Sequence, residues 1–354
     1  MNELAPDKKT EKTVIFRTDG SSKIGMGHIY RCLSIADGLA KRGIMSLFML
    51  SNYEMMDLII RRGFSVINLN SDPGDMESEI YITKSYIRDS NLPLIIIDSY
   101  SVTENYLAEI KKTCKIAYID DVLAFPYKVD YLINYNMYAD VEDYKKLYGE
   151  NLMPYLLLGS SYAPLREEFD DDLSRTVSKD VKNVLVSTGG ADILGVAVKF
   201  AEYIKAKNDK EYTYHFIVGG ASPYYDELTK ITDGMNNIVI HKNVTEMRDL
   251  MMSCDMALSA SGSTLYELSA CGVPTVTYVV ADNQIRGAEI FNKKGLMVSL
   301  GDIRGRDDIC EDMYIALKDL GADYNKRKDM TEKMQSVIDG KGALRTAEFI
   351  EKVF

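Results

Sequence analysis

The chain has no C-x-x-C pair, no basic tract and no apolar run near the roughly 20 residues that span a bilayer. Its five cysteines, Cys32, Cys114, Cys254, Cys271 and Cys310, are scattered and odd in number. That argues against a zinc site or disulfide framework and for reduced, buried thiols in a cytoplasmic protein. Residues 1–12 are polar and charged, without an apolar core or a small-residue cleavage site, so no secretory signal is expected. A net charge of −11 excludes a general nucleic-acid binder, which needs a basic face to meet phosphates. The same balance weighs against anionic membrane surfaces, so no stable membrane insertion is expected. Protein partners stay open. There is no P-loop pattern, and Gly25-x-Gly27 is not a dinucleotide fingerprint because Tyr30 stands where the third glycine would be. Both observations disfavour P-loop ATPases and nicotinamide enzymes. No Ser–His–Asp arrangement is suggested, and no cysteine has a nearby basic partner.

What is present is core material for more than one domain. Hydrophobic residues make up 46% of 354 residues, and tryptophan is absent while tyrosine is frequent at 24. Short apolar runs alternate with longer amphipathic ones. Strands are expected at 14–16, 45–50, 64–69, 94–97 and 115–119, with one more at 131–133. Helices are expected at 28–42, 53–62, 77–89 and 104–112. Spacers of that length imply parallel pairing through right-handed crossovers. The pattern breaks between 138 and 180, where Leu156-Leu157-Leu158-Gly159 gives way to a charged stretch. It restarts at Val184-Leu185-Val186 and continues as strands at 213–218, 238–240, 256–258, 274–280 and 297–298 with helices between them. From 307 on the chain reads helical. The expectation is an α/β protein of two Rossmann-like domains, 1–160 and 181–354, joined by a linker at 161–180, with their ligand-binding edges facing across a cleft.

Loops at strand ends carry the chemistry. Gly25-Met26-Gly27-His28 leads from the first strand into a helix that also holds Arg31. Free N–H groups at a helix start can meet an anionic ligand. The helix dipole there favours the neutral imidazole, the form able to accept a proton. By placement His28 is as fit for a structural as for a functional task, whereas His215 and His241, in or at the end of strands, read as structural. Ser261-Gly262-Ser263-Thr264 enters a helix with Glu267 one turn inside. Glu267 either caps that helix or accepts hydrogen bonds from vicinal hydroxyls such as a ribose's. Gly189-Gly190 is either an ordinary turn or a phosphate-facing loop. Asn283 and Gln284 either cap a helix or suit sugar hydroxyls and acetamido groups. Asp98-Ser99-Tyr100 and Asp120-Asp121 end the fourth and fifth strands. The aspartate pair invites a metal, but nothing is spaced to complete such a site, so neither metal nor cofactor is expected.

These residues resemble a known family. Phe16-Arg17-Thr18-Asp19 with Ile24-Gly25-Met26-Gly27-His28-Ile29-Tyr30-Arg31-Cys32-Leu33 looks like the opening of the UDP-2,4-diacetamido-2,4,6-trideoxy-β-L-altropyranose hydrolases of pseudaminic acid biosynthesis, relatives of the MurG-type glycosyltransferases. The likeness continues at Ile97-Asp98-Ser99-Tyr100, Ile119-Asp120-Asp121, 157–169, 187–192 and from Ser261 to Gln284. The resemblance implies a GT-B fold and a UDP-sugar substrate held mainly by the second domain. It implies that His28 activates water for attack on the anomeric carbon with inversion, without metal. Glu267 would hold the ribose, Gly262, Ser263 and Thr264 would face the diphosphate, and Asn283 the sugar. A glycosyltransferase of the same fold is the competing reading.

Overall fold

The computed structural model describes residues 12–21, 25–89, 92–171, 173–190, 192–219 and 222–354. Ile24 and Ala191 of the motifs above lie outside the described residues. Strands β1 (Thr13–Thr18), β2 (Met45–Leu50), β3 (Ser65–Asn68), β4 (Leu94–Asp98), β5 (Lys115–Ile119), β6 (Tyr131–Asn134) and β7 (Tyr155–Leu158) form one sheet in the order 3-2-1-4-5-6-7. Strands β8 (Asn183–Ser187), β9 (Thr213–Val218), β10 (Ile238–Lys242), β11 (Met256–Ala260), β12 (Thr275–Val279) and β13 (Val298–Asp302) form a second, ordered 10-9-8-11-12-13. Every pairing is parallel. Parallel strands carry helices on both faces, which is why β4 is an unbroken apolar run and is buried throughout. Two Rossmann-like βα units of this kind are the GT-B fold that the sequence implied.

The units divide the chain in a more interleaved way than the sequence suggests. The first comprises the described parts of Met1–Asn134, Asp140–Leu158 and Ala343–Phe354; the second comprises Tyr135–Ala139 and the described parts of Gly159–Gly342. The stretch 138–180 is not merely a break in the pattern. It contains the helix Val141–Tyr148 and β7. The expected linker, 161–180, belongs to the second unit, where Phe169 is fully buried. The helical tail is three helices, Ile309–Ala322, Tyr324–Val337 and Gly342–Val353. Residues 343–354 return to the first unit instead of finishing the second.

That return braces the helix Gly27–Ala40. At Gly38 a side chain would begin 3.1 Å from the Ala343 carbonyl oxygen and 3.1 Å from Ala347 Cβ. The two backbones therefore meet through a glycine and two alanines. Gly38→Leu is expected to cost about 1–3 kcal/mol by overpacking this crossing. A urea midpoint unchanged from wild type would contradict it.

Candidate active site

In the first unit the strand order reverses direction between β1 and β4, and crevices open beyond the C-terminal strand ends at such a switch point. Thr18, the last residue of β1, pairs with Asp98, the last of β4. The helix that follows β1 therefore starts beside Asp98. The connecting loop is closed by the Gly25 N–H, which donates to the Ser21 carbonyl at 2.8 Å. Gly25 has φ +89°, a conformation that L side chains rarely adopt. Gly27 opens the helix, and His28 and Arg31 point from its first turns into a buried cluster.

His28 and Asp98 form a dyad. His28 Nδ1 lies 2.6 Å from Asp98 Oδ1. Arg31 grips the same carboxylate: Nε donates to Oδ2 at 2.5 Å, and Nη2 donates to Oδ1. Burial by itself would raise the Asp98 carboxyl, but the charges of Arg31 and then His28 outweigh it and hold Asp98 well below the usual carboxylate range. Asp98 is thus an anion, and an unprotonated Nδ1 would set a lone pair against it at 2.6 Å. In the neutral ring the proton therefore sits on Nδ1 and donates to Asp98, and Nε2 carries the lone pair. Arg31 Nη2 is also 3.0 Å from Nδ1, a contact that is then no hydrogen bond because both nitrogens bear protons.

The cluster extends to the end of β5. Arg31 Nη1 donates to Asp121 Oδ2 at 3.0 Å, and the Tyr100 hydroxyl donates to the same oxygen at 2.9 Å. The Tyr100 ring stands edge-on to His28 with centroids 4.6 Å apart, and half of Tyr100 remains exposed. Asp120 has a different task. It accepts from the Val122 and Leu123 N–H groups and from the Tyr127 and Tyr144 hydroxyls, which makes it the organiser of its own turn. The two aspartates are therefore hydrogen-bond acceptors in separate networks.

A second buried network underlies the entry to the loop. Arg17, fully buried at the end of β1, donates from Nε and Nη2 to the two oxygens of Glu79 at 2.6 and 2.8 Å. Its Nη1 donates to Asp19 at 2.5 Å, and Asp19 accepts from the Ser51 N–H and hydroxyl. Sequence reasoning quoted Arg17 only within the opening motif and gave no role to it or to Glu79, 62 positions away. A buried arginine at a strand end is the one signal that pointed to a carboxylate partner.

The second unit repeats the switch point between β8 and β11, where Ser187 pairs with Ser259. Gly189, with φ +83°, and Gly190 are exposed in the loop after β8, and Asp192 caps the next helix by accepting from Val196 and Ala197 N–H. Ser261 is buried, and its hydroxyl is engaged by Thr277 Oγ1 at 2.7 Å and the Tyr278 carbonyl at 2.9 Å. Gly262, Ser263 and Thr264 follow at the start of the helix Thr264–Ala270. Glu267 does not cap that helix. Its Oε1 accepts from Arg166 Nη2 at 2.9 Å and Nε at 3.1 Å, a partner that the sequence reading did not single out. Burial nonetheless pushes the Glu267 carboxyl upward, against the pull of Arg166. Asn283 is exposed, and Gln284 Oε1 accepts from the Val280 N–H at 2.9 Å, tying its loop to β12. His215 and His241 pair with each other at 3.0 Å between β9 and β10, remote in sequence from any of these loops.

Comparisons with known proteins agree with the fold. A family model described as lipid-A-disaccharide synthetase matches residues 162–320. The UDP-2,4-diacetamido-2,4,6-trideoxy-beta-L-altropyranose hydrolase of Campylobacter jejuni is 28% identical over 295 residues, 80% of this chain and 98% of that protein. The chain is a homologue of that hydrolase. An uncharacterized protein of Methanocaldococcus jannaschii, MJ1062, is 30% identical over 280 residues, 76% of this chain; the match spans only 55% of that longer protein. MurG of Acinetobacter baumannii superposes with a TM-score of 0.68 at 11% identity, over 96% of this chain and 99% of that structure. Among the described residues no helix is long and apolar enough to cross a membrane.

Two stability measurements test the buried networks. Glu79→Ala leaves Arg17 buried with Asp19 alone and is expected to cost about 3–5 kcal/mol. Equal urea midpoints for Glu79→Ala and wild type would refute the clamp. For Asp98 the folded-state value lies below the unfolded one, about 3.9, so its contribution is complete above that pH and fades as pH falls toward the folded value. The gap in stability between wild type and Asp98→Asn should therefore hold from pH 7 to about 5 and narrow below about 4. A gap that narrows between pH 7 and 5 contradicts an ionised Asp98.

Proposed function

We propose that the protein hydrolyses a UDP-activated diacetamido-trideoxy sugar, releasing UDP and the free sugar in pseudaminic acid-type biosynthesis. The observation that carries this reading is the His28–Asp98 pair, a base held at a helix start by a buried carboxylate, in a chain homologous to a UDP-sugar hydrolase over nearly that enzyme's whole length. Nε2 of His28 takes a proton from water as the water oxygen attacks the anomeric carbon. The bond from that carbon to the phosphate oxygen breaks on the opposite side, its electron pair leaves with UDP, and the configuration inverts. Ionised Asp98 stabilises the imidazolium that forms.

The remaining roles follow from chemistry and placement. Gly25 and Gly27, beside His28, let backbone come close to substrate, and Tyr100 offers a half-exposed aromatic face to the sugar. In the second unit Gly189, Gly190, Gly262, Ser263 and Thr264 supply backbone N–H groups and hydroxyls to the diphosphate. Ser261 supports that loop from beneath through Thr277 and Tyr278. Glu267, held by Arg166, accepts from the ribose hydroxyls, Asn283 meets the sugar, and Gln284 fixes the loop that carries it. A cytoplasmic location belongs to the same reading, since nucleotide sugars are the substrates and the cysteines are free thiols.

The test is UDP release from a panel of UDP-sugars in ¹⁸O-labelled water. Label in the sugar and none in UDP is expected. Label in UDP would sink attack at carbon, and turnover only after adding a sugar or lipid acceptor would mean a glycosyltransferase. His28→Ala should lose about 10²–10⁴-fold in kcat while binding UDP as wild type does.

A further inference from the structure

An arginine in the first turns of a helix that follows a glycine loop is a natural candidate to bind an anionic substrate. Its geometry assigns it other work. Three of its nitrogens, Nε, Nη1 and Nη2, donate to two carboxylates on neighbouring strands' ends: Asp98, the last residue of β4, and Asp121, two residues past β5. One of those carboxylates holds His28 and the other holds Tyr100. Arg31 and Asp98 are buried, at 8% and 1% exposure, so the linkage is largely sheltered from water. Electrostatics within it are correspondingly strong.

Resting on the hydrolase reading, we propose that Asp98, Arg31 and Asp121 are positioning residues that act as one strut, which fixes the Nδ1–H tautomer of His28 and holds Tyr100 against it, and that Arg31 is not a phosphate ligand. Asp98 sets which ring nitrogen is free to accept a proton. Arg31 keeps Asp98 charged and aimed at that ring. Asp121 carries the same guanidinium's hold across to the Tyr100 hydroxyl. The two side chains nearest the chemistry are then set by one cation, and loosening any member displaces both. Cys32 also lies in the cluster, its Sγ 3.6 Å from Asp98 Oδ2. Burial, followed by the charge of Asp98, drives its thiol upward, so it stays protonated and adds no charge.

The chain's three histidines make a direct test feasible. Selective ¹⁵N labelling of histidine, with long-range ¹H–¹⁵N correlation, reads the tautomer of His28 in the unliganded wild-type protein, with His28→Asn assigning the signal. Protonation of Nδ1 and a bare Nε2 are expected. A proton on Nε2 in the neutral ring overturns the proposal whether or not any UDP-sugar is turned over, so its failure is distinct from failure of the hydrolase reading.

Kinetics supply the second arm. In Asp98→Asn the amide donates to Nδ1 and drives the proton to Nε2. The tautomer signal should switch and kcat should fall about 10³–10⁴-fold, by the logic of a triad aspartate. The dissociation constant for UDP should stay within about twofold. Arg31→Lys should restore part of the activity lost in Arg31→Gln, because a lysine keeps a charge beside Asp98 but lacks the fork that reaches both carboxylates. Loss of UDP affinity of tenfold or more in both Arg31 variants, with the tautomer unchanged, would instead make Arg31 a phosphate ligand and overturn the strut. Asp98→Asn with wild-type kcat would do the same.

Discussion

A single buried anion organises the first unit. Asp98 sits at the end of a strand that is buried on both faces, in a place where an isolated charge is prohibitively costly. It survives because Arg31 grips both of its oxygens and His28 meets one of them. The dependence runs in both directions. Without Asp98, the guanidinium of Arg31 would be buried beside a neutral ring, and His28 would be free to take either tautomer. Much else follows from meeting that requirement: the switch in strand order that sets Thr18 against Asp98, the glycine loop that turns the chain back, and the helix start that carries both partners.

The neighbouring network of Arg17, Asp19 and Glu79 applies the same solution one step upstream. It fixes the end of β1 and the first residue of the loop, whereas the Asp98 cluster fixes the loop's far end. Both ends of 19–28 are therefore pinned by buried ion pairs. A base delivered by such a loop has its position set by charge pairing at each anchor, and this matters because misplacement by about an ångström costs orders of magnitude in rate.

Much of this was legible in the sequence. The alternation of apolar runs gave twelve of the thirteen strands among the described residues, and glycines after the first strand of each half marked both loops. The exceptions have physical causes. β7 is a short apolar run standing in the stretch where the βα alternation lapses, and the helix Val141–Tyr148 before it lies among polar residues with few apolar positions. Residues 343–354 read as part of the second domain because periodicity reports only that a helix has an apolar face, not which surface covers it. At the candidate site, His28 stands out in the sequence by its place beside two glycines. Asp98 and Asp121 were visible as strand ends, yet their pairing with Arg31 spans 67 and 90 residues. Only strand order brings those positions together, and strand order is a property of the whole sheet. Arg166 and Glu267, 101 residues apart, were hidden for the same reason.

The division of labour between the units follows from the kinds of groups each presents. The second unit's loops offer backbone N–H groups, hydroxyls, amides and one carboxylate braced by arginine, all of which suit a nucleotide held without being changed. The first unit presents a histidine whose proton is already committed on one side, next to an anion that becomes a better partner once the ring is charged. That asymmetry is what proton abstraction needs: the Asp98 charge costs nothing further when His28 becomes cationic, because Arg31 and burial have already fixed it in place. A base of this kind contributes more to the transition state than to the ground state, so in the proposed hydrolase His28 acts on rate more than on affinity.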